Sequence, residues 1–275
     1  MKVLVTGAGG QLGRALGPAL ADREVVALGH AALDITDLAA VRAAVAAHRP
    51  QAIVNAAAYN LVDEAESEPQ AAQRVNADGP RSLAVAAAEA GAAILHVSTD
   101  YVFDGEAGRP YDEHDATNPL SAYGRSKLAG EMAVREANPR HFVVRTAWVF
   151  APEGRNFPNS IRRLAAQGPV RVVDDQTGSP TYAPHLAQGL ARLLPSGAYG
   201  TYHMAGAGAA TWHALTVALF AALRLDCDVL RATTAEFPRP ARRPRFAPLV
   251  TVREPPMVLP PWQEGVLAYA RAVAA

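Results

Sequence analysis

Cysteine, net charge and long apolar runs are all scarce in this chain, and each shortage narrows what it can be. Of 275 residues only Cys227 is a cysteine. A lone thiol closes no intrachain disulfide and builds no cysteine-rich metal site; it is expected to be a small, buried or half-buried apolar side chain. Lys plus Arg and Asp plus Glu each number 26, so the formal net charge is zero. That balance gives no footprint for nucleic acid or a membrane surface as a partner. No apolar stretch approaches the ~20 residues that span a bilayer. The Ala-rich runs at 43–47 and 84–90 are broken by charge. Met1-Lys2 leads straight into Val3-Leu4-Val5, without the apolar core or cleavage site of a signal peptide. The expectation is a cytoplasmic protein. No internal repeat is visible.

Half of the residues are hydrophobic, enough for one large α/β domain and a smaller appendage. Up to Trp148, strand and helix patterns alternate. Strands are expected at 3–6, 24–28, 52–55, 93–97 and 141–145. Helices are expected at 12–20, 38–47, 70–90 and 121–136. Continuous apolar strands between helices predict a parallel sheet buried on both faces, with right-handed connections. Beyond Trp148 Pro and Gly become frequent, and isolated helices are expected at 157–166, 184–193, 212–223 and 264–273. Short strands are plausible at 170–173 and 199–204. The Pro-rich stretch 237–261 carries apolar anchors at Phe246, Leu249, Val250 and Trp262, so it reads as an ordered segment wrapping a substrate site. The division is therefore 1–148 for cofactor and catalysis and 149–275 mainly for substrate, with the chain free to cross between them.

Gly7-Ala8-Gly9-Gly10-Gln11-Leu12-Gly13 follows the first strand and opens the first helix. Glycines at 7, 10 and 13 allow a tight turn and let the backbone approach a pyrophosphate at the helix N-terminus. The strand-turn-helix setting makes this a dinucleotide site and the sheet Rossmann-like and doubly wound. The second strand ends Leu28-Gly29-His30-Ala31, without the carboxylate that binds ribose hydroxyls in NAD sites. NADPH is therefore preferred, with NADH as the second choice. His30 is a candidate phosphate contact or a solvated loop residue. Asp34, next to Ile35, is a candidate adenine contact, and Thr36 or Asp37 serves as the cap of the next helix. Ala56, Ala57 and Ala58 leave room for the cofactor beside the third strand. Asp63, Glu64, Glu66 and Glu68 read as a solvated acidic helix start.

Tyr123-Gly124-Arg125-Ser126-Lys127 places a phenol and an ammonium on one face of a helix. Free Tyr titrates near ~10, and a Lys⁺ beside it is expected to pull that pKa down into a working range. A Tyr tuned in this way passes a proton to or from a sugar or alcohol oxygen. Ser98-Thr99-Asp100 follows a central strand, where open α/β sheets bind ligands. The Thr99 hydroxyl is placed there for a substrate carbonyl or alcohol.

Together these segments resemble the dTDP-4-dehydrorhamnose reductase family of the extended short-chain dehydrogenase/reductases. The most specific piece is Ser98–Gly105, and the resemblance runs on through Arg145–Trp148, Asp175-Gln176, Arg243-Pro244 and Trp262 with Gly265. It implies a triad in which Tyr123 is the general acid at the C4 oxygen of a keto sugar. Thr99 polarises that carbonyl, and Lys127 lowers the Tyr pKa and holds the nicotinamide ribose. It further implies a dTDP-sugar contacted by Thr99, Asp100, Trp148, Asn156, Gln176 and Arg243, the last suited to a diphosphate. Asn60 departs from the family's usual Thr, and the usual Ser after Arg243-Pro244 is missing. Some members form a magnesium-bridged homodimer through a Glu early in the first helix. Arg14-Ala15 stands here, which does not support that bridge and leaves magnesium and dimerisation open.

Two competing functions remain at this stage. A 4-epimerase uses the same Tyr and Lys, whereas a dehydratase needs an acid pair that Asp100-Tyr101 does not supply. A reductase-like protein that only binds NADP and regulates a partner is expected to have lost part of the triad, which is intact.

Overall fold

The computed structural model describes residues 1–254 and 256–274. Pro255, in the Pro-rich stretch, and Ala275, at the end of the expected substrate region, lie outside the described residues.

Six strands form the central sheet: β1 Lys2–Thr6, β2 Glu24–Leu28, β3 Ala52–Asn55, β4 Ala93–Thr99, β5 His141–Thr146 and β6 Gly200–His203. Their order is β6-β5-β4-β3-β1-β2, and every neighbouring pair is parallel. The unbroken apolar runs reflect burial on both faces. Alternate residues serve opposite sides: Val3, Val5, Val54 and Leu95 pack with Leu12, Leu16, Leu186 and Leu190, whereas Leu4, Ile53 and Ile94 pack with Val41, Val45 and Leu83. These come from helices α1 Gln11–Ala19, α2 Leu38–His48, α3 Gly79–Glu89 and, later in the chain, α6 Ala183–Leu193. Such a side chain contributes about 2–5 kcal/mol against truncation to Ala. The strand order reverses at β1, so a ligand crevice opens between the carboxyl ends of β1 and β3.

The run expected as one helix over 70–90 is Pro69–Gln73 and α3 joined by a π-helical turn, Arg74–Asp78. That turn buries Asn76, whose amide nitrogen donates to Ser126 Oγ (3.0 Å) and whose amide oxygen accepts from Tyr59 N–H (2.8 Å). Helix α4, Ala122–Ala137, carries Tyr123 and Lys127. Its N-cap, Ser121, accepts from Gly124 N–H (3.1 Å), and Glu66 accepts from Ala122 N–H (2.8 Å).

After β5, α5 Phe157–Ala165, α7 Trp212–Leu223 and α8 Trp262–Ala274 build a second core with Phe150, Val172, Leu219 and Tyr269. Between them the chain returns to the sheet: α6 packs on α1, and β6 extends β5 from Gly200↔Phe142 to His203↔Arg145. In the Pro-rich stretch Leu249 is buried beside Phe103 and Tyr111, and Phe246 bridges to Thr177. Val250 is not the anchor its side chain suggested, being 45% exposed. It works through its backbone instead, donating to Tyr111 O (2.9 Å).

Candidate active site

A cleft opens at the carboxyl ends of the strands. Gly10, Gln11, Leu12, Ala56, Ala57, Ala58, Thr99, Asp100, Tyr123, Lys127 and Trp148 line it together. Asn60 and Ser98 line it too, and Asn156 and Gln176 stand just behind, bonded to the lining residues Gln11 and Trp212.

The cofactor end is shaped by close backbone approach. Gly7 has φ +71°, and a Cβ at Gly13 would come within 2.2 Å of the Gly7 carbonyl oxygen. The first turn of α1 holds no acidic residue, and its N-cap, Gly10, offers no side-chain cap. A diphosphate fits such a helix start. Asn55 secures the far side: its Oδ1 accepts from Thr6 Oγ1 (2.7 Å) and Ala57 N–H (3.1 Å), fixing the Ala56–Ala58 floor. His30 is exposed, with no carboxylate beside it in Gly29–Ala31, which suits a 2′-phosphate. Asp34 is exposed too; its Oδ1 accepts from Thr36 N–H (2.9 Å) and Oγ1 (2.8 Å), holding its pKa down. Asp37 caps α2. Ile35 is core, buried against Gly79.

At the catalytic end, Lys127 lies one helical turn after Tyr123, and its Nζ donates to Val97 O at 2.7 Å. Burial pushes Lys127 down to about 8. Tyr123 corrects an expectation. Its pKa is raised, chiefly because burial disfavours the phenolate; the nearby Thr99 hydroxyl opposes the rise, and Asp100 and Tyr101 add to it. Lys127 does not offset this rise; its Nζ makes one bond, to the Val97 carbonyl, and keeps donors to spare. Tyr123 is thus a fully protonated phenol at neutral pH, a state that donates. Thr99 Oγ1 donates to Asp100 Oδ1 at 3.0 Å. Asp100 is buried, which lifts its carboxyl to about 7 despite that bond.

Behind Lys127 lies a buried polar layer that the sequence did not announce. Glu131 accepts from Ser98 Oγ (2.6 Å), Arg145 Nε (2.9 Å), Arg145 NH2 (2.8 Å) and Arg135 NH2 (2.8 Å). Burial opposes the Glu131 charge, but these partners keep its pKa low.

Three residues expected to touch the sugar nucleotide are engaged otherwise. Arg243 forms a fork with Asp63, at 3.0 Å to each carboxylate oxygen. Asp63 is therefore no solvated helix-start acid: burial works against its charge, yet Arg243 holds its pKa down. Asn156 caps α5 and donates to Gln11 Oε1 (2.8 Å) and Ala151 O (2.8 Å). Gln176 accepts from Trp212 Nε1 at 3.2 Å. The structure adds Arg155, Phe157 and Trp212 to the cleft lining. Arg155 is exposed and pairs with no carboxylate among the described residues. Phe157 opens the helix expected over 157–166, with Asn156 as its N-cap, and helical spacing alone did not place it in the cleft. Among the described residues no group of three or more His, Cys, Asp or Glu is gathered to hold a metal.

A dinucleotide crevice, a Tyr-Lys pair on one helix and a Thr ending the fourth strand define an extended short-chain dehydrogenase/reductase. Residues 1–274 match the family model described as RmlD substrate binding domain. A Streptomyces griseus protein named dTDP-4-dehydrorhamnose reductase is 50% identical over 90% of this chain and 84% of its own. A Streptomyces niveus protein named dTDP-4-keto-6-deoxy-D-glucose reductase is 44% identical, covering 85% and 82%. The crystal structure of Bacillus anthracis dTDP-4-dehydrorhamnose reductase in complex with NADP superposes with a TM-score of 0.96 at 35% identity, covering 98% of this chain and 99% of that one. The chain belongs to the dTDP-4-dehydrorhamnose reductase family.

Proposed function

We propose that the protein reduces the C4 keto group of dTDP-4-dehydro-β-L-rhamnose to give dTDP-L-rhamnose, with NADPH as reductant. The observation that carries this is Tyr123, a buried phenol that shares one cleft with Thr99, Lys127 and the glycine turn. NADPH, when bound, supplies a hydride to the C4 carbon. Tyr123 delivers the proton to the C4 oxygen as the carbonyl becomes an alcohol, and Thr99 orients that oxygen. Lys127, fixed on the Val97 carbonyl, holds the nicotinamide ribose. Trp148 and Asp100 line the sugar side of the same cleft. With Arg243 paired to Asp63, Arg155 is a cleft guanidinium that pairs with no carboxylate among the described residues and suits a diphosphate. Residues 149–275 serve the substrate, apart from the return of α6 and β6 to the sheet.

Relatives named for dTDP-sugars that carry a 4-keto group support the substrate class. The neighbour solved with NADP supports the cofactor. No helix among the described residues is long and apolar enough to cross a membrane. We place the activity in the cytoplasm, in a chain that acts singly or as a homodimer; Arg14-Ala15 does not support a magnesium bridge between copies.

The test is NADPH absorbance with dTDP-4-dehydro-L-rhamnose generated in situ, beside dTDP-4-keto-6-deoxy-D-glucose and a Tyr123→Phe variant. Rapid oxidation by the parent with the first sugar, and near-loss in the variant, is expected. Faster turnover of the second sugar would reassign the substrate. NADPH that stabilises the fold without turnover of either would point to a binding protein.

A further inference from the structure

Trp148 has φ +46°, a left-handed backbone for a bulky aromatic residue. Such strain persists only where the surroundings over-determine it. A Cβ on Gly178 would fall 2.5 Å from Trp148 Cε2, so only glycine lets this indole sit where it does. Trp212 stacks on Trp148 with centroids 3.4 Å apart and planes within 4°. Phe157 braces Trp212 at 4.6 Å, tilted by 48°. Trp212 Nε1 donates to Gln176 Oε1 (3.2 Å), and Gln176 Nε2 donates to Thr234 Oγ1 (2.9 Å). Thr234 in turn donates to Asp175 Oδ1 (2.7 Å). Trp212 is also the first residue of α7, whose N-cap Thr211 accepts from Ala214 N–H.

We propose that Trp212 is a positioning residue for the sugar nucleotide, holding the Trp148 indole as a fixed wall of the cleft, with Gln176 setting the orientation of Trp212. The inference rests on the proposed function and deepens it. Both indoles share the cleft with Thr99 and Tyr123, so the wall decides where a sugar ring comes to rest against the proton donor. A flat apolar face with a few placed polar groups is the ordinary make-up of such a pocket. The glycine turn is built by other elements, so cofactor affinity is independent of the stack. The work of Gln176 is indirect, through the indole it holds.

Three variants test this. Trp212→Leu removes the stack. Trp212→Phe keeps an aromatic ring without its donor. Gln176→Met keeps volume and removes the acceptor. Steady-state KM and kcat for the dTDP-sugar, dTDP affinity by tryptophan fluorescence, and NADPH affinity by its own emission are measured on each. Trp212→Leu is expected to raise the sugar KM by about tenfold or more, to lower kcat less, and to leave NADPH affinity within about twofold. Trp212→Phe should restore most of the loss, and Gln176→Met should fall between. An unchanged KM in Trp212→Leu overturns the proposal. So does a loss of NADPH affinity in step with KM, which means general loosening. If Trp212→Leu does not fold, an unchanged KM in both other variants overturns it. A parent that binds dTDP and NADPH but turns over no dTDP-sugar sinks the proposed function instead, and dTDP affinity across the variants then decides the role of Trp212.

Discussion

On the sheet side of the cleft, Thr99, Tyr123 and Lys127 hang from β4 and α4. Their positions are set by main chain: a Val97 carbonyl, a strand register and a capped helix start. On the opposite side, Trp148, Phe157 and Trp212 come from three separate segments held by ring contact and one amide. The first wall is fixed by backbone geometry, which few side-chain changes disturb. The second is fixed by side chains acting on one another, so single substitutions can move it. In the proposed function, chemistry belongs to the first wall and substrate fit to the second.

The sharpest test of that division is Tyr123→Phe. Losing the proton donor should lower kcat by about 10²–10⁴ while NADPH still titrates with parental affinity. A variant that keeps its kcat would mean another group donates. Next in size is Glu131→Gln. It leaves Arg145 buried with its charge uncompensated, which costs about 3–5 kcal/mol, visible in urea unfolding. Little change in the midpoint would mean that the polar layer behind Lys127 does not hold the first wall.

Asp100 gives a pH signature. Its folded carboxyl titrates at about 7 against 3.8 ordinarily. Between those values the folded state holds a proton that the unfolded state has released, so this group's contribution to stability falls as pH rises. Asp100→Asn has no such proton. The parent's melting temperature relative to the variant's should be highest near pH 4 and decline towards pH 7, by up to a few kcal/mol equivalent. A gap constant with pH would show that Asp100 is ionised in the folded state. The smallest effect is expected from Asp63→Asn, which weakens the partly buried fork to Arg243. Stability should fall by about 1–2 kcal/mol, with dTDP affinity unchanged in calorimetry. Tighter dTDP binding would return Arg243 to the diphosphate and blur the two walls.

The sequence carried the first wall more plainly than the second, for physical reasons. Strand ends and helix periodicity are local, so Thr99, Tyr123, Lys127 and the glycine turn were readable from spacing and gather in one cleft. Asp63 and Arg243 lie 180 positions apart, and no local pattern discloses that each takes up the other. The i,i+4 spacing gave the proximity of Tyr123 and Lys127 but not their burial, and burial reversed the direction of the Tyr123 shift. Trp212 was legible only as the start of an expected helix at 212–223, because its partner Trp148 belongs to a different stretch of chain.

The return of Gly200–His203 to the sheet has a consequence for synthesis. When the first 148 residues have left the ribosome, β5 is still an edge strand, with the buried Phe142 and Val144 and an open ladder of hydrogen-bonding groups awaiting β6. β5 is thus paired only after another roughly fifty residues emerge, a window of several seconds at about 5–20 residues per second, and the short β6 then becomes the edge in its place. A chain cut at the apparent end of its nucleotide half would leave that window open permanently, and such a fragment would be expected to aggregate rather than bind cofactor.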